Sequence, residues 1–432
     1  MDAEILVVGG GYAGLAAGAL LSRSGHSVIL LERSERLGGR ASWTERDGFL
    51  LEHGLHDNRF AGEGAAAAVF RELGRELEFI EPGEPELWLD GEFVPLPNSL
   101  PKIMRSRLLG WRDRAAAARA LVPLVLASQE KLFDKSLGEM LGKNPSPSVR
   151  RILSVLSGIG IIAPELDQAS AGEFAAFLRK ALKSRSKVGY PRGGTRSIIE
   201  GLREALEENG RALTGVRVEG FNVQKGRVVE ALAGERSWRG EAVISAVPVQ
   251  ELPGLFGRRN LPLDFLEKAE SLVPTAGISL EAALSSPVSG RRGLLVTAEP
   301  LTMGQFTSNI DPSTAPSGKQ LLSWYYPLPA ALMKDGDAVQ AEEQRLRELL
   351  EEMFPGMREK TEWERAMRLG RVDGFLPSPS QSRPHRPGFR VAGLENFFVA
   401  GDGTGAEGTG GDAAFDSALR VSRLALEFLR SS

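Results

Sequence analysis

Three glycines set between two apolar runs constrain this 432-residue chain more than any other feature. The stretch from Val7 to Glu32 reads VVGGGYAGLAAGALLSRSGHSVILLE, with Gly9, Gly11 and Gly14 in GxGxxG spacing. The run before the glycines, EILVV, is apolar and reads as a buried parallel strand. Tyr12 to Arg23 is rich in small residues at helical spacing, and Gly25 stops it. SVILLE is the next strand, so the whole is one βαβ unit. In such a unit the first glycine makes the tight turn, the second lets backbone amides approach a pyrophosphate, and the third lets helix and strand pack closely. The helix start at Tyr12 and Ala13 offers free N–H groups and a positive partial charge. Glu32 closes the second strand, where a carboxylate accepts hydrogen bonds from ribose hydroxyls and disfavours a 2′-phosphate. Dinucleotide binding by Gly9, Gly11, Tyr12, Ala13, Gly14, Glu32 and the adjacent Arg33 is the expectation. The alternative is a glycine turn needed only for packing.

This pattern does not separate NAD from FAD. A second glycine turn, RLGGR, follows the acid and contains Gly38, Gly39 and Arg40. The tail, NFFVAGDGTGAEGTGGDAAFDSALR, contains Gly401-Asp402, another glycine-rich turn and the start of a helix at Gly411, Asp412 and Ala413. Together these resemble the FAD-dependent amine oxidase and phytoene desaturase superfamily, and more closely its desaturase-like branch. The segments YPRGGTRSIIEGLREAL, GVRVEGF and EHGLHDN also resemble family segments.

The resemblance implies that the second turn and Arg40 lie along the FAD pyrophosphate. It implies that Val218 contacts adenine through its backbone, and that Gly54, Leu55 and His56 lie near the reactive edge of the flavin. Asp402 is then expected on the ribityl or pyrophosphate part, and the last helix points its N-terminus at the pyrimidine end. A positive helix end there stabilises negative charge on reduced flavin.

The fold expected is α/β: a Rossmann-like FAD-binding domain of the glutathione reductase type, interleaved with a mixed substrate domain of sheet plus helices. The FAD domain is expected over 1–75, 188–250 and 370–432, and the substrate domain over 76–187 and 251–369. Helices are expected over 65–80, over 136–187, over 338–353 and over 411–430. Strands are expected in ELWLDGEFVPL, across 211–232 around a Lys225-Gly226 turn, in EAVISAVP, AGISLEAAL and QLLSWYYPL, and in NFFVAGDG. The five prolines between Glu81 and Pro101 suggest a crossing between domains.

Residues 102–135 carry eight basic residues against three acids in a chain of net charge −3. Trp111 and LVPLVLA add apolar surface. The segment is a candidate for peripheral membrane contact, or else a solvated helical lobe packed on the second domain. The slightly acidic balance gives no sign of a nucleic-acid partner. The absence of cysteine excludes disulfides, thiolate metal sites and a cysteine nucleophile, and the four histidines form no HxH or HExxH pair, so no metal site is expected. The first residues, MDAEILVVGGG, lack the pattern of a secretory signal, and a cytoplasmic protein is expected.

Flavin chemistry implies hydride transfer between a substrate carbon and flavin N5. Amine oxidases of the family place an aromatic residue soon after the Gly-Asp motif. Here GTGAEGTGGDAA contains none before Phe415. A hydrophobic small molecule, isoprenoid- or carotenoid-like, is therefore the first expectation. An amine oxidase or protoporphyrinogen-oxidase-like enzyme, a flavin-dependent isomerase and a non-redox lipid carrier are the alternatives. His56 is the candidate for proton transfer beside the flavin, against a packing role. His385 in RPHRP is a candidate entrance residue or a solvated loop residue. Trp324, Tyr325 and Tyr326 are pocket wall or core.

Overall fold

The computed structural model describes residues 2–142, 145–185 and 188–431. Two sheets organise it. The first is fully parallel. Its strands run in the order Phe397–Val399, Gly240–Ser245, Ala3–Val8, Val28–Leu31, Gly210–Leu213. The opening strand is central, so Ile5, Leu6 and Val7 are shielded on both faces and fully buried. That is why this strand is a continuous apolar run rather than an alternating one.

Helix Tyr12–Arg23 follows it, and Gly25 (φ 90°) turns the chain back into the second strand. Two further helices pack against it. Helix Gly194–Leu206 presents Ile198, Ile199, Leu202, Ala205 and Leu206, all buried, and the final helix Gly410–Ser431 presents Phe415, Ala418 and Val421. On the other face, Phe221, Phe256 and Phe397 form one aromatic cluster.

The second sheet is mixed, in the order Thr361–Leu369, Ala276–Leu284, Gln320–Leu328, Leu301–Phe306, Gly293–Ala298, Gly83–Leu89, Glu92–Pro95. Only the Gly293–Ala298 and Gly83–Leu89 pair is parallel. Helix Gly336–Met353 covers one face through Val339, Leu346 and Leu350. A helical lobe stands beside this sheet. It comprises Leu100–Arg105, Trp111–Leu126, Leu137–Leu141, Pro147–Ile161 and Ala171–Lys183, which share one apolar core. Positions 143, 144, 186 and 187, within or beside the stretch read as helical, lie outside the described residues.

Two expectations need correction. The helix expected over 65–80 is Ala65–Glu72 only. Gly74 adopts φ 70°, and Phe79–Ile80 pairs instead as a short strand with Tyr190–Pro191. The ladder to a distant segment overrides local helical spacing. Across 211–232 the strands are Gly210–Leu213, Gly220–Gln224 and Arg227–Ala233, so Val218 sits in irregular chain between two of them. Lys225 and Gly226 form the hairpin turn with φ 49° and 76°, as that pair suggests.

Candidate functional site

The two glycine turns lie against each other. Gly11 and Gly38 form a parallel bridge, and the Gly38 N–H donates to the Gly10 carbonyl at 2.7 Å. Gly9 leaves the first strand at φ 106°, which a residue with a side chain rarely adopts. A Cβ on Gly14 would fall 1.9 Å from the Gly9 carbonyl oxygen, so the third glycine is a packing requirement. Gly11 differs. A Cβ there would meet nothing nearer than the Gly38 oxygen at 3.9 Å. Gly11 is also the N-cap of helix Tyr12–Arg23 and has no side chain to cap it. The helix start thus faces open space with a surplus of backbone donors.

Glu32 is buried between the turns. Its carboxylate accepts the Gly10 N–H at 2.6 Å and the Ser34 N–H at 2.8 Å. Two lone-pair positions remain for a ligand hydroxyl. Arg33 points outward and pairs with Glu251 at 3.4 Å.

The tail reaches this cradle through Asp402. Its carboxylate accepts two hydrogen bonds from the Arg40 guanidinium, at 2.7 and 2.8 Å, and one from the Gly374 N–H at 2.7 Å. Burial alone would raise the Asp402 pKa, yet Arg40 and the Gly374 N–H hold it below its ordinary value. Nearby Asp373 is pushed up to about 6 by burial and by the Asp402 charge. Gly401 adopts φ 129° and donates its N–H to Ser417 in the final helix. Tyr12 stacks on Phe415 with centroids 4.8 Å apart, so the first and last helices touch at their N-terminal turns. Ala413 is buried, and Gly411 lies beside the Tyr12 ring. Asp412 faces Arg59 at 3.8 Å.

A third group gathers around EHGLHDN. Glu52 accepts from the Tyr190 hydroxyl and the Thr195 N–H, each at 2.6 Å. Burial pushes its pKa to about 7. The Glu52 N–H donates to buried Glu281, which pairs with Arg365. Asp57 accepts from Gln305 at 2.9 Å, and burial raises its pKa to about 6. Gly54 (φ 143°) gives its carbonyl to Ser323, and Leu55 packs into the core under the mixed sheet.

Burial lowers the His56 pKa to about 4, so the ring is neutral. Its Nε2 is buried with no hydrogen-bond partner among the described residues. Sequence reasoning missed Tyr190, Glu281, Arg365 and Asp373. Glu281 alone left a trace, as the one acid inside the apolar run AGISLEAAL.

A cavity opens where the final helix begins. Gly408, Thr409 and Asp412 form one wall, and Ile161, Ala176 and Phe177 of the helical lobe form another. Arg59, Phe60, Gly160, Lys180 and the acids Glu173 and Glu407 complete it, with the Lys180 Nζ 4.8 Å over the Phe60 ring. Trp324, Tyr325 and Tyr326 belong to the core: Trp324 is fully buried, and the Tyr325 and Tyr326 hydroxyls bond Ala276 and Glu342. His385 is half-exposed and pairs with Asp134 of the helical lobe at 2.6 Å.

The residues present suit a flavin dinucleotide. The open backbone at Gly11, the uncapped helix start, the buried carboxylate of Glu32 and the unpartnered Nε2 of His56 are the groups such a ligand would complete.

A model of the flavin-containing amine oxidoreductase family matches residues 12–426. A 15-cis-phytoene desaturase of Synechococcus elongatus is 24% identical over 317 residues, covering 64% of this chain and 65% of the desaturase, just under two thirds of that relative. A coproporphyrinogen III oxidase of Propionibacterium freudenreichii is 30% identical over 188 residues, covering 41% of this chain and 35% of that protein. The crystal structure of an oxidoreductase from Methanosarcina mazei superposes with a TM-score of 0.82 at 21% identity, covering 97% of this chain and 99% of the other.

Proposed function

The chain belongs to the flavin-containing amine oxidoreductase family and is an FAD-dependent oxidoreductase; from that premise we propose that its substrate is a lipophilic, isoprenoid- or carotenoid-like molecule, which it desaturates or dehydrogenates. Bound FAD supplies the acceptor for a hydride leaving a substrate carbon. The protein's part is to bind, orient and exclude water.

The backbone of Gly11 and Gly39 and the start of helix Tyr12–Arg23 would hold the diphosphate. Glu32 would take the adenosine ribose, and the Val218 backbone the adenine. Arg40, oriented by Asp402, would lie along the diphosphate. Gly54, Leu55 and His56 would lie near the ring edge. Gly411, Asp412 and Ala413, at the positive end of the last helix, would face the pyrimidine side. His56 is proposed to accept a proton at Nε2, since the ring is neutral and that nitrogen has no hydrogen-bond partner among the described residues.

One observation favours the lipophilic substrate over an amine. Phe415 is the first aromatic after Asp402, yet it is 1% exposed and stacked on Tyr12. It therefore offers no wall to an aromatic cage. Within the cavity, the face of Phe60 is already covered by the Lys180 ammonium, so that ring is not free to serve as a cage wall either. A second reading has its own support. Lys180, and Arg59 beside its partner Asp412, would meet the carboxylates of a substrate such as a porphyrinogen, in a lining that also holds Glu173 and Glu407.

The test is anaerobic bleaching of the protein-bound flavin. A carotenoid precursor in detergent micelles is expected to bleach it, and a primary amine is not. Bleaching by the amine alone would overturn the proposal. Bleaching by coproporphyrinogen alone would move it to the second reading. Altered double-bond geometry without net oxidation would indicate an isomerase, and a colourless protein that extracts lipid would indicate a carrier.

A further inference from the structure

Helix Trp111–Leu126 has two faces of different character. Ala117, Ala120, Leu121 and Leu124 are buried in the helical lobe. The opposite stripe, Trp111, Ala115, Arg119, Val122 and Leu126, is exposed along the whole helix. Trp111 and Leu126, at its two ends, are 73% and 78% exposed. Side chains of this size are seldom left so open without a partner surface.

The apolar stripe continues past the helix. Arg179 donates to the carbonyls of Leu124 and Ala127, tying the C-terminal end of this helix to Ala171–Lys183. Leu182, one turn beyond Arg179, is 48% exposed. At the other end Met104 is exposed on the short preceding helix. Around these apolar groups stand the exposed cations Lys102, Arg105, Arg107, Arg112, Arg119 and Lys183. The whole chain is slightly acidic, so this excess is local.

We propose that this face docks on an anionic lipid bilayer. Exposed Trp and Leu along one side of a helix, flanked by Arg and Lys, match a helix lying in the headgroup plane. The charges complement anionic headgroups, whereas a second copy packed face to face would bring the same arginines together. No helix among the described residues is long and apolar enough to cross a membrane, so the contact lies on the surface. Helix Ala171–Lys183 connects this face to the cavity, since it carries Arg179 and Leu182 as well as Ala176, Phe177 and Lys180. The proposal goes beyond the redox reading, and its test measures binding rather than turnover.

The test is co-sedimentation of the full chain with phosphatidylcholine vesicles, with and without phosphatidylglycerol. Wild type is expected to bind the anionic vesicles about tenfold or more better, and to lose that preference as salt is raised. The double variant Trp111→Glu, Leu126→Glu is expected to bind about tenfold more weakly with its flavin content unchanged. Should that variant lose flavin, Arg112→Glu with Arg119→Glu makes the same test through charge. Absence of vesicle binding by wild type, or equal binding by wild type and both variants, would overturn the proposal. So would a dimer in light scattering that Trp111→Glu dissociates, because that would make the partner a second copy.

Discussion

Arg40 and Asp402 stand 362 positions apart in the chain and meet through two hydrogen bonds, at 2.7 and 2.8 Å. The planar guanidinium matches both carboxylate oxygens at once, which a lysine ammonium does not. We expect Arg40→Lys and Asp402→Asn each to weaken FAD binding about tenfold or more, because the first leaves the buried Asp402 carboxylate with a poorer partner and the second leaves the half-exposed Arg40 guanidinium without its anchor. Titration of the apoprotein with FAD checks this. A dissociation constant unchanged in both variants would show that the pair is structural only.

The glycines of the first turn are expected to separate by function. Gly14→Ala places a methyl 1.9 Å from the Gly9 carbonyl oxygen, so the apoprotein is expected to unfold or lose several degrees in Tm. Gly11→Ala meets nothing closer than 3.9 Å. Its apoprotein is expected to melt near wild type while FAD affinity falls about tenfold or more, because the methyl enters the space a diphosphate needs. Normal flavin content in Gly11→Ala would contradict the placement of the cofactor.

Glu52 carries a pH signature. Its folded pKa of about 7 lies above that of an unfolded glutamate, so the folded state holds its proton more tightly. That contribution to stability is complete below the unfolded value, near pH 4, and is lost as pH rises through about 7. Asp57 and Asp373, each raised to about 6, act in the same direction. Glu52→Gln keeps an acceptor for the Thr195 N–H and a group facing Tyr190, but it has no proton to lose. The variant is expected to flatten the fall in Tm between pH 5 and pH 8, by an amount bounded near about 3 kcal/mol. A profile parallel to wild type would place the titration elsewhere.

His56→Gln tests the unpartnered Nε2. The substitution keeps a polar side chain of similar reach but removes a base that titrates. Flavin content is expected to stay normal, while single-turnover bleaching by substrate slows about a hundredfold and loses its dependence on a group titrating in the acid range. Unchanged bleaching would leave His56 a packing residue.

How far the sequence foretells this molecule depends on how local the cause is. The βαβ unit is legible because glycine spacing and apolar runs act within thirty residues. The strands AGISLEAAL and QLLSWYYPL match Ala276–Leu284 and Gln320–Leu328 residue for residue, since each is bounded by turn-forming neighbours. The short helix after Gly64 was overextended because its end depends on pairing with Tyr190, more than a hundred positions away. The carboxylates Glu52, Glu281 and Asp373 owe their environment to three separate segments, and nothing in their immediate neighbours marks them as buried together. Arg40 and Asp402 were each visible through a motif, but their mutual contact was not.

The order of the parallel sheet bears on how the protein is made. The Gly240–Ser245 strand finds its outer neighbour only in Phe397–Val399, far downstream of it. While the polypeptide is still leaving the ribosome, that strand presents a bare row of amides and carbonyls, the kind of edge that invites pairing with other nascent chains. The emergence of residues 397–402 is thus the event that both seals the edge and delivers Asp402 to Arg40, so a product cut short before them would be left sticky and unable to mature.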